Sequence, residues 1–149
     1  YKIVSIYTYI LILLLLGCES NTFSPLEEDS VDPNNYFSHN ISSKVAFYFF
    51  NNILINESNL SSNDWIGAFN GQICVGARQW IDCGESTCEI PIYGENNLNQ
   101  LTEGYMLPNQ IPTFIIYDDS DEIYYEANSS TQIPWQDGIY PLIDTLIAG

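Results

Sequence analysis

Apolar positions form one long run near the start of the chain, and shorter alternating runs follow after a polar interval. The long run covers residues 3–16 and is preceded by Lys2. It is shorter than the roughly 20 residues of a membrane-spanning helix, and it has the length of the apolar part of a secretory signal peptide. The pattern predicts an exported protein whose residues 1–17 form a signal helix.

The polar interval covers residues 18–43. Ser, Asn, Asp and Glu are frequent in it, and it contains Pro25 and Pro33. This composition is typical of a flexible tether. We therefore expect an acidic tether up to residue 43 and a folded domain over residues 44–149.

The pattern of the domain is that of β-structure. The segment "KVAFYFF" from Lys44 is apolar at both alternating sets of positions, which is typical of a central strand covered on both faces. Gly and Pro recur at strand-like intervals, and no sustained helical period follows residue 44. We predict an all-β fold, specifically an antiparallel β-sandwich of the immunoglobulin or jelly-roll type.

A hairpin is predicted in "WIGAFNGQICVGA". Asn70-Gly71 suits a two-residue type I′ turn, in which both residues need positive φ. That turn pairs Phe69 with Gln72 and assigns one face to the core, namely Ile66, Ala68, Ile73, Val75 and Ala77. The other face is either a second buried layer or an aromatic platform with one cation. It carries Trp65, Phe69, Gln72, Cys74 and Arg78, and Trp80 extends it if the strand continues that far.

Two further elements are predicted near the end of the chain. Strands at residues 113–117 and 123–126 flank an acidic loop and form a second hairpin. The segment "IYPLIDTLIA" alternates between apolar and polar positions, so we expect a closing strand, with a short helix as the alternative.

Four segments together resemble a known module. They are "DWIGAFNGQICVGARQW", "CGESTCEIPIYG", "LTEGYMLPNQIPTFIIYD" and "YYEANSSTQIPW". In order and spacing they are similar to a β-sandwich module of secreted and surface proteins of environmental, often marine, bacteria, many of them exported by type IX-like secretion. The resemblance covers roughly residues 45–146. It implies a sandwich fold and a surface location, and it implies no particular activity.

The end of the signal segment, "LLGC", resembles the bacterial lipobox. In that family of signals the chain is cut before the cysteine, which is acylated, so the resemblance implies a lipid anchor at Cys18. Glu19 follows instead of the aspartate that resembles an inner-membrane retention signal, which favours the outer membrane or cell surface. An ordinary signal or an uncleaved anchor is the alternative.

Charge excludes one class of partner. The chain has 19 acidic and 3 basic residues, for a net charge of −16. This surface repels phosphate backbones, so we expect no nucleic-acid binding. It also repels anionic lipid headgroups, so membrane attachment has to be hydrophobic or covalent. With 46% hydrophobic residues the chain nevertheless has enough apolar surface for a core.

The cysteines of the domain predict one local disulfide. Cys83 and Cys88 enclose a short loop, and a bond between them is expected in an exported protein. Cys74 is expected to be a small buried apolar residue, although a bond from Cys74 to either of the others stays open. Zinc is disfavoured because no histidine and no CxxC pair lies nearby.

The acidic loop is the candidate metal site, and no other cofactor is predicted. Carboxylates are the ligands that calcium prefers, and Asp and Ser are equally frequent in solvated turns. Calcium binding and a plain turn therefore both remain open for Asp118, Asp119, Asp121 and Glu122.

Aromatic side chains are the candidate binding residues, because their rings stack on sugars while neighbouring polar groups bind the hydroxyls. We single out Trp65, Trp80, Trp135, Tyr124, Tyr125 and Arg78. The alternative is that these rings belong to the core. The sole histidine, His39, lies in the predicted tether and no carboxylate pair stands out, so we expect no enzyme.

These observations predict a surface-anchored lipoprotein with a β-sandwich module for binding or adhesion. The favoured ligand is a glycan or polysaccharide. The alternative is a structural or accessory subunit of an envelope or secretion assembly, which binds a protein partner.

Overall fold

The computed structural model describes residues 32–84 and 87–149. The predictions for residues 1–17, for Cys18 and for the tether up to residue 31 lie outside the described residues. A short helix, α1, spans Pro33–Tyr36, and short 3-10 helices span Trp80–Asp82 and Gln100–Thr102. The strands are β1 Val45–Ile55, β2 Ser58–Asn59, β3 Trp65–Asn70, β4 Ile73–Gln79, β5 Cys88–Tyr93, β6 Thr113–Asp118, β7 Ile123–Ser129 and β8 Leu142–Ala148.

The strands form one curled sheet, in the order β2-β1-β8-β7-β6-β3-β4, with β5 also paired to β1. Its curl brings the edge strands β4 and β5 together, and Gly76 lies so close to the Pro91 carbonyl that no side chain would fit there. The all-β prediction is therefore confirmed. The main hydrophobic core lies inside the curl of the sheet.

One strand pair departs from the predicted antiparallel arrangement, because β1 and β8 run parallel. The loop before β8 is the reason. The backbone N–H groups of Phe47 and Phe49 donate to the carbonyls of Ile139 (3.0 Å) and Pro141 (2.9 Å). The loop therefore already runs beside β1 in the same direction before β8 begins.

The main core lies on the concave face of the sheet. Alternate residues of the central strand β1 enter it, namely Ala46, Tyr48 and Phe50. Burying a side chain as large as that of Phe50 contributes about 1.5–3 kcal/mol to the free energy of unfolding, relative to leaving it exposed. Ile90 and Ile92 of β5 face the same core across the sheet, which ties the short edge strand to β1.

The predicted type I′ turn at Asn70-Gly71 is wrong. Asn70 pairs with Ile73, so the loop residues are Gly71 and Gln72, and of these only Gly71 has a positive φ, +61°. The Asn70 amide donates to the carbonyl of Gly104 at 2.9 Å, which holds Asn70 in the strand. This contact joins residues far apart in sequence, whereas a turn preference reflects only the residues of the turn itself.

Two predicted core positions of β4 lie outside the main core, one of them because of a β-bulge beside this turn. The register shifts between Ala68 and Phe69, so an extra residue of β4 lies opposite β3. Val75 stays in the core as predicted, whereas Ile73 is 41% exposed and Ala77 packs on the opposite face. The extra residue reverses the alternation after Val75, which moves Ala77 to the outer cluster, whereas Ile73 is exposed because it lies next to the turn.

The other elements predicted near the chain end are confirmed. β6 and β7 form the second hairpin around the acidic loop, and "LIDTLIA" is the closing strand β8 rather than a helix. The disulfide between Cys83 and Cys88 is present, and Cys74 is a free, buried thiol as expected.

A second cluster, the outer cluster, covers the convex face of the sheet. Its buried members are Phe37, Phe69, Cys74 and Tyr117, and the partly buried Tyr36, Trp65, Ala77, Ile115 and Tyr124 pack against them. The face of the first hairpin that carries Trp65, Phe69 and Cys74 is therefore a second buried layer.

Part of the segment predicted as tether belongs to this outer cluster. Phe37 is only 2% exposed, and its ring occupies the space that a side chain at Gly67 would need. Its ring also stacks on Trp65, with 5.8 Å between centroids. The packed part of the chain therefore begins before Phe37 and not at Lys44.

Among residues 32–84 and 87–149, no helix has the length and apolar content that a membrane crossing would need.

Candidate ligand-binding groove

The three tryptophans lie in three different environments. Trp65 is partly buried beneath Phe37 in the outer cluster. Trp135 is 1% exposed, and its indole N–H donates to the Ile92 carbonyl at 2.9 Å. Trp80 is half-buried and packs against the main core. Trp135 is thereby removed from the ligand-contacting candidates, because a ligand cannot reach a ring inside the core.

Tyr124 and Tyr125 point to opposite faces of β7, since consecutive strand residues alternate. Tyr124 packs in the outer cluster, with ring centroids 4.5 Å from Tyr36 and 4.6 Å from Tyr117. Tyr125 packs against the main core. Burial, followed by the nearby Tyr117, Tyr36 and Asp32 side chains, raises the pKa of Tyr124 to about 12. Only Tyr124 of this pair lies on the outer face.

Arg78 joins the two edges of the sheet and does not form the predicted aromatic platform. Its Nη2 lies 3.0 Å from Oε1 of Glu89, and its Nε donates to the Glu89 carbonyl. The guanidinium therefore bridges β4 and β5, which make no strand pairing with each other.

The acidic loop between β6 and β7 uses its carboxylates to hold its own turn. Asp118 Oδ1 accepts hydrogen bonds from the Ser120 hydroxyl (2.6 Å) and from the Ser120 and Asp121 backbone N–H groups. These bonds, the Ser120 hydroxyl first, lower the pKa of Asp118 against the opposing effect of burial. The Asp119 side chain accepts from Asn63 at 3.2 Å, whereas Glu122 lies exposed at positive φ.

Within the described residues, no group of three or more His, Cys, Asp or Glu side chains is arranged to hold a metal ion. Calcium binding by the acidic loop stays a prediction.

A groove of about 480 Å³ opens where the β3–β4 turn meets the start of β6 and the end of β7. We call it the groove. Its walls come from four separate parts of the chain, and the residues used below are Tyr36, Phe69, Gln72, Glu126, Asn128 and Gln132.

The aromatic wall of the groove is Tyr36, which α1 places there. The helix begins with favourable local signals, because the Asp32 carboxylate accepts from the Asn34 N–H at 2.9 Å and Pro33 occupies the first turn. The Tyr36 ring then packs against Phe69 and Tyr124, at centroid distances of 5.4 and 4.5 Å. Neighbouring rings thus hold Tyr36 in place while it remains half-buried.

The polar wall of the groove consists of side chains without partners in the described part of the protein. Gln72, Glu126, Asn128 and Gln132 are exposed, and none of these side chains hydrogen-bonds to another described residue. Three of them are amides, which both donate and accept, and the fourth is a carboxylate, which only accepts.

Tyr36 and Glu126 lie close enough to interact electrostatically. Burial raises the pKa of the Tyr36 hydroxyl, and the nearby Cys74 and Glu126 side chains raise it further. Both side chains line the groove.

Trp80 lines a separate cavity of about 360 Å³, together with Asn51, Asn52, Asn59 and Thr87. One indole and several neutral polar groups also suit a sugar. Residues 85 and 86, which lie between the lining residues Gly84 and Thr87, are outside the described residues. The groove is therefore the better defined of the two sites.

The sequence did not single out any of the six groove residues used here. Phe69 and Gln72 were placed on the mixed face of the first hairpin, and Tyr36 in the tether. One local signal for Tyr36 exists: Asp32-Pro33 is a typical helix start, which indicates an ordered segment. The polar groove residues carry no such signal, because they meet only through strand pairing.

Chemically, the groove offers one fixed aromatic ring, amide donors and acceptors, and one carboxylate. This set suits binding of a small polar ligand with an apolar face. No protein-family model, no curated protein and no solved structure matches the chain.

Proposed function

We propose that the protein is a lipid-anchored surface protein whose β-module binds a glycan in the groove. The observation that carries this proposal is the Tyr36 ring, held by Phe69 and Tyr124, facing polar side chains that have no partner in the described chain. A sugar ring has an apolar C–H face for the tyrosine and hydroxyl groups for the amides and the carboxylate.

The ring is suited to stacking because it is already immobilised. A free side chain loses rotamer entropy on binding, about 0.5–1.5 kcal/mol, and a ring packed between two others has lost it on folding. We expect a modest contribution from stacking, of about 0.5–1.5 kcal/mol as for other ring contacts. That corresponds to a change in affinity of about tenfold or less.

The proposed anchor is Cys18, on the basis of "LLGC" at the end of the apolar run. Acyl chains contribute about 0.8 kcal/mol per buried methylene, and two or more chains hold a protein stably on a membrane. A net charge of −16 favours this kind of attachment, since the module itself is repelled by anionic headgroups. The outer membrane or cell surface is the proposed location, and the resemblance to surface modules supports it.

The test is a binding screen by calorimetry with the full chain, purified in a detergent that has no sugar headgroup. We expect saturable binding to at least one short oligosaccharide in a panel of neutral, amino and acidic types. Tyr36→Ala should weaken that binding about tenfold. Tyr140→Ala is the matched control, because this tyrosine is 67% exposed and does not line the groove.

Three results would decide against parts of the proposal. Absence of binding across the panel would reject the glycan function. Binding that is lost in Trp80→Ala but retained in Tyr36→Ala would keep the function and move the site to the Trp80 cavity. An equal loss in Tyr36→Ala and Tyr140→Ala would remove the groove as the site.

A second candidate function is that of an accessory subunit with a protein partner. Three exposed apolar side chains, Ile41, Leu98 and Leu101, support it, and Leu98 is 96% exposed. They lie in two segments that contact each other, since the Asn40 amide donates to the Leu101 carbonyl at 3.3 Å. Photo-crosslinking from position 98 on intact cells tests this candidate, with position 144 on an exposed part of β8 as the control.

A further inference from the structure

We infer that the groove selects a sugar with a free, protonated amino group, and that Glu126 is the residue that binds the ammonium. This inference rests on the proposed glycan function and names the ligand class of the same site. It follows from three features of the groove: the position of its carboxylate, the composition of its walls and the charge around it.

Glu126 is the charged residue among those that line the groove. It lies on β7 opposite Ile115 of the outer cluster, which places its side chain on the convex face. The ion pair that the described residues form joins Arg78 to Glu89 at the sheet edges, and Glu126 takes no part in it. The groove therefore contains a carboxylate without a counter-charge from the described protein.

Among the described residues, no lysine, arginine or histidine lines the groove. Of the described basic residues, Arg78 is bound to Glu89 and Lys44 precedes β1. The ring Nδ1 of His39 donates to the Phe37 carbonyl, 2.8 Å away. A glycan with carboxylate or sulfate groups would meet Glu126 without a compensating cation. Such a glycan is disfavoured by the site as well as by the net charge of −16.

An ammonium group can interact both with the carboxylate of the polar wall and with the tyrosine ring of the aromatic wall. It forms charge-assisted hydrogen bonds with a carboxylate, which are stronger than the bonds that a neutral hydroxyl makes. It is also attracted to the face of a tyrosine ring. Tyr36 and Glu126 both line the same groove, so a ligand bound there can contact the ring and the carboxylate.

The polar amides complete the selection. Gln72, Asn128 and Gln132 are neutral and bind hydroxyl groups on the rest of the sugar without adding charge. An N-acetylated sugar keeps the hydroxyls and loses the cation. Its affinity should therefore fall although its ring still fits the groove.

The experiment compares three short oligosaccharides of the same linkage by calorimetry: one with free amino groups, one N-acetylated and one neutral. The full chain is used in the detergent described above, at about 150 mM salt, where surface charges are screened beyond about 8 Å. We expect the amino form to bind at least tenfold more tightly than the other two. Raising the pH until the amine is neutral should abolish that preference.

Glu126→Gln should remove the tenfold preference, because the amino form loses a charge-assisted hydrogen bond whereas the N-acetylated form loses at most a weaker bond from a neutral hydroxyl. The readout is the ratio of the two affinities. The matched control is Asp82→Asn, which removes the same charge from an exposed residue that follows the far end of β4. Melting temperatures of both variants verify that they fold. A preference that survives Glu126→Gln, or that falls equally in Asp82→Asn, would overturn the inference.

Failure of this inference and failure of the proposed function have different signatures. Equal affinity for all three oligosaccharides would overturn the selection of an amino sugar and leave glycan binding intact. Absence of binding to these three and to the wider panel would reject both.

Discussion

Cys74 is the residue whose surroundings most clearly set its chemistry. It is buried in the outer cluster, with its Sγ 3.4 Å from the Phe37 carbonyl. Burial raises the pKa of the thiol to about 11, and a backbone hydrogen bond from Gly76 acts in the opposite direction. The thiolate is the reactive form of cysteine. Burial therefore protects Cys74 from reaction in two ways, because it blocks access of reagents and it disfavours the thiolate.

The raised pKa of Cys74 predicts a loss of stability in alkaline solution. The folded pKa of about 11 exceeds the ordinary value of 9.0 for a cysteine thiol, so the unfolded chain releases the thiol proton first. The contribution of the protonated thiol to the free energy of unfolding is fully present below pH 9 and is lost as the pH rises towards 11. The free energy of unfolding should fall by about 1.4 kcal/mol per pH unit in this window.

Urea denaturation at a series of pH values measures this slope. The interval from pH 9 to 10 is the informative one, because Tyr48 and Tyr124, whose pKa values burial raises to about 12 from 10.0, contribute mainly above it. Cys74→Ala should flatten the slope in that interval. An unchanged slope in Cys74→Ala would contradict the assignment to this thiol.

At the scale of elements, the segment before β1 acts as a strap across the convex face of the sheet. α1 and Phe37 cover strand β3, and Gly67 permits the close approach because it has no side chain. Tyr36 becomes a wall of the groove only through this packing. The strap therefore links the stability of the outer cluster to the shape of the proposed site.

Phe37→Ala should detach the strap. Removal of a buried aromatic ring costs about 3–5 kcal/mol, which urea denaturation would show as a lower free energy of unfolding. Glycan affinity should fall with it, because α1 no longer holds Tyr36. Phe47→Ala is the matched control, since Phe47 is only half-buried and stacks on the exposed Tyr140. An equal or smaller loss in Phe37→Ala would mean that the strap is not packed as described.

The loop between β6 and β7 provides a second prediction at this scale. Asp118→Ala removes the acceptor of three hydrogen bonds in the turn. We expect a loss of about 1–2 kcal/mol in the free energy of unfolding, of the same size with and without millimolar calcium. A melting temperature that rises with calcium in the wild-type chain, but not in Asp118→Ala, would instead establish a calcium site.

At the scale of the whole molecule, the proposed anchor and the acidic surface act together. If Cys18 is acylated as proposed, the acyl chains would hold the protein at a membrane while its net charge of −16 repels the module from anionic lipid.

Cys18→Ala tests the anchor. In a bacterial host that processes lipoproteins, the variant should move from the membrane fraction to the soluble fraction and lose incorporation of labelled fatty acid. Cys74→Ala is the matched control, because it removes a thiol from the folded domain and should retain both properties. Continued membrane retention of Cys18→Ala would reject the lipobox interpretation.

The sequence by itself determined the features that depend on local patterns. Alternation of apolar and polar residues is a property of each strand, so it located β1, the second hairpin and β8 without knowledge of their partners. The bond between Cys83 and Cys88 followed from their short separation and the expected export. These signals lie within a few residues of one another, where the chain's own geometry dominates.

Only the tertiary structure decided the features that depend on distant contacts. The contact of Asn70 with Gly104 and the bulge set the register of the first hairpin, against a strong local turn preference. Trp135 became core because its N–H meets the Ile92 carbonyl. Tyr36 and Glu126 face one groove because a strap and a strand meet on the convex face. Tens of positions separate Asn70 from Gly104, Trp135 from Ile92 and Tyr36 from Glu126. A local sequence pattern carries no information about such pairs.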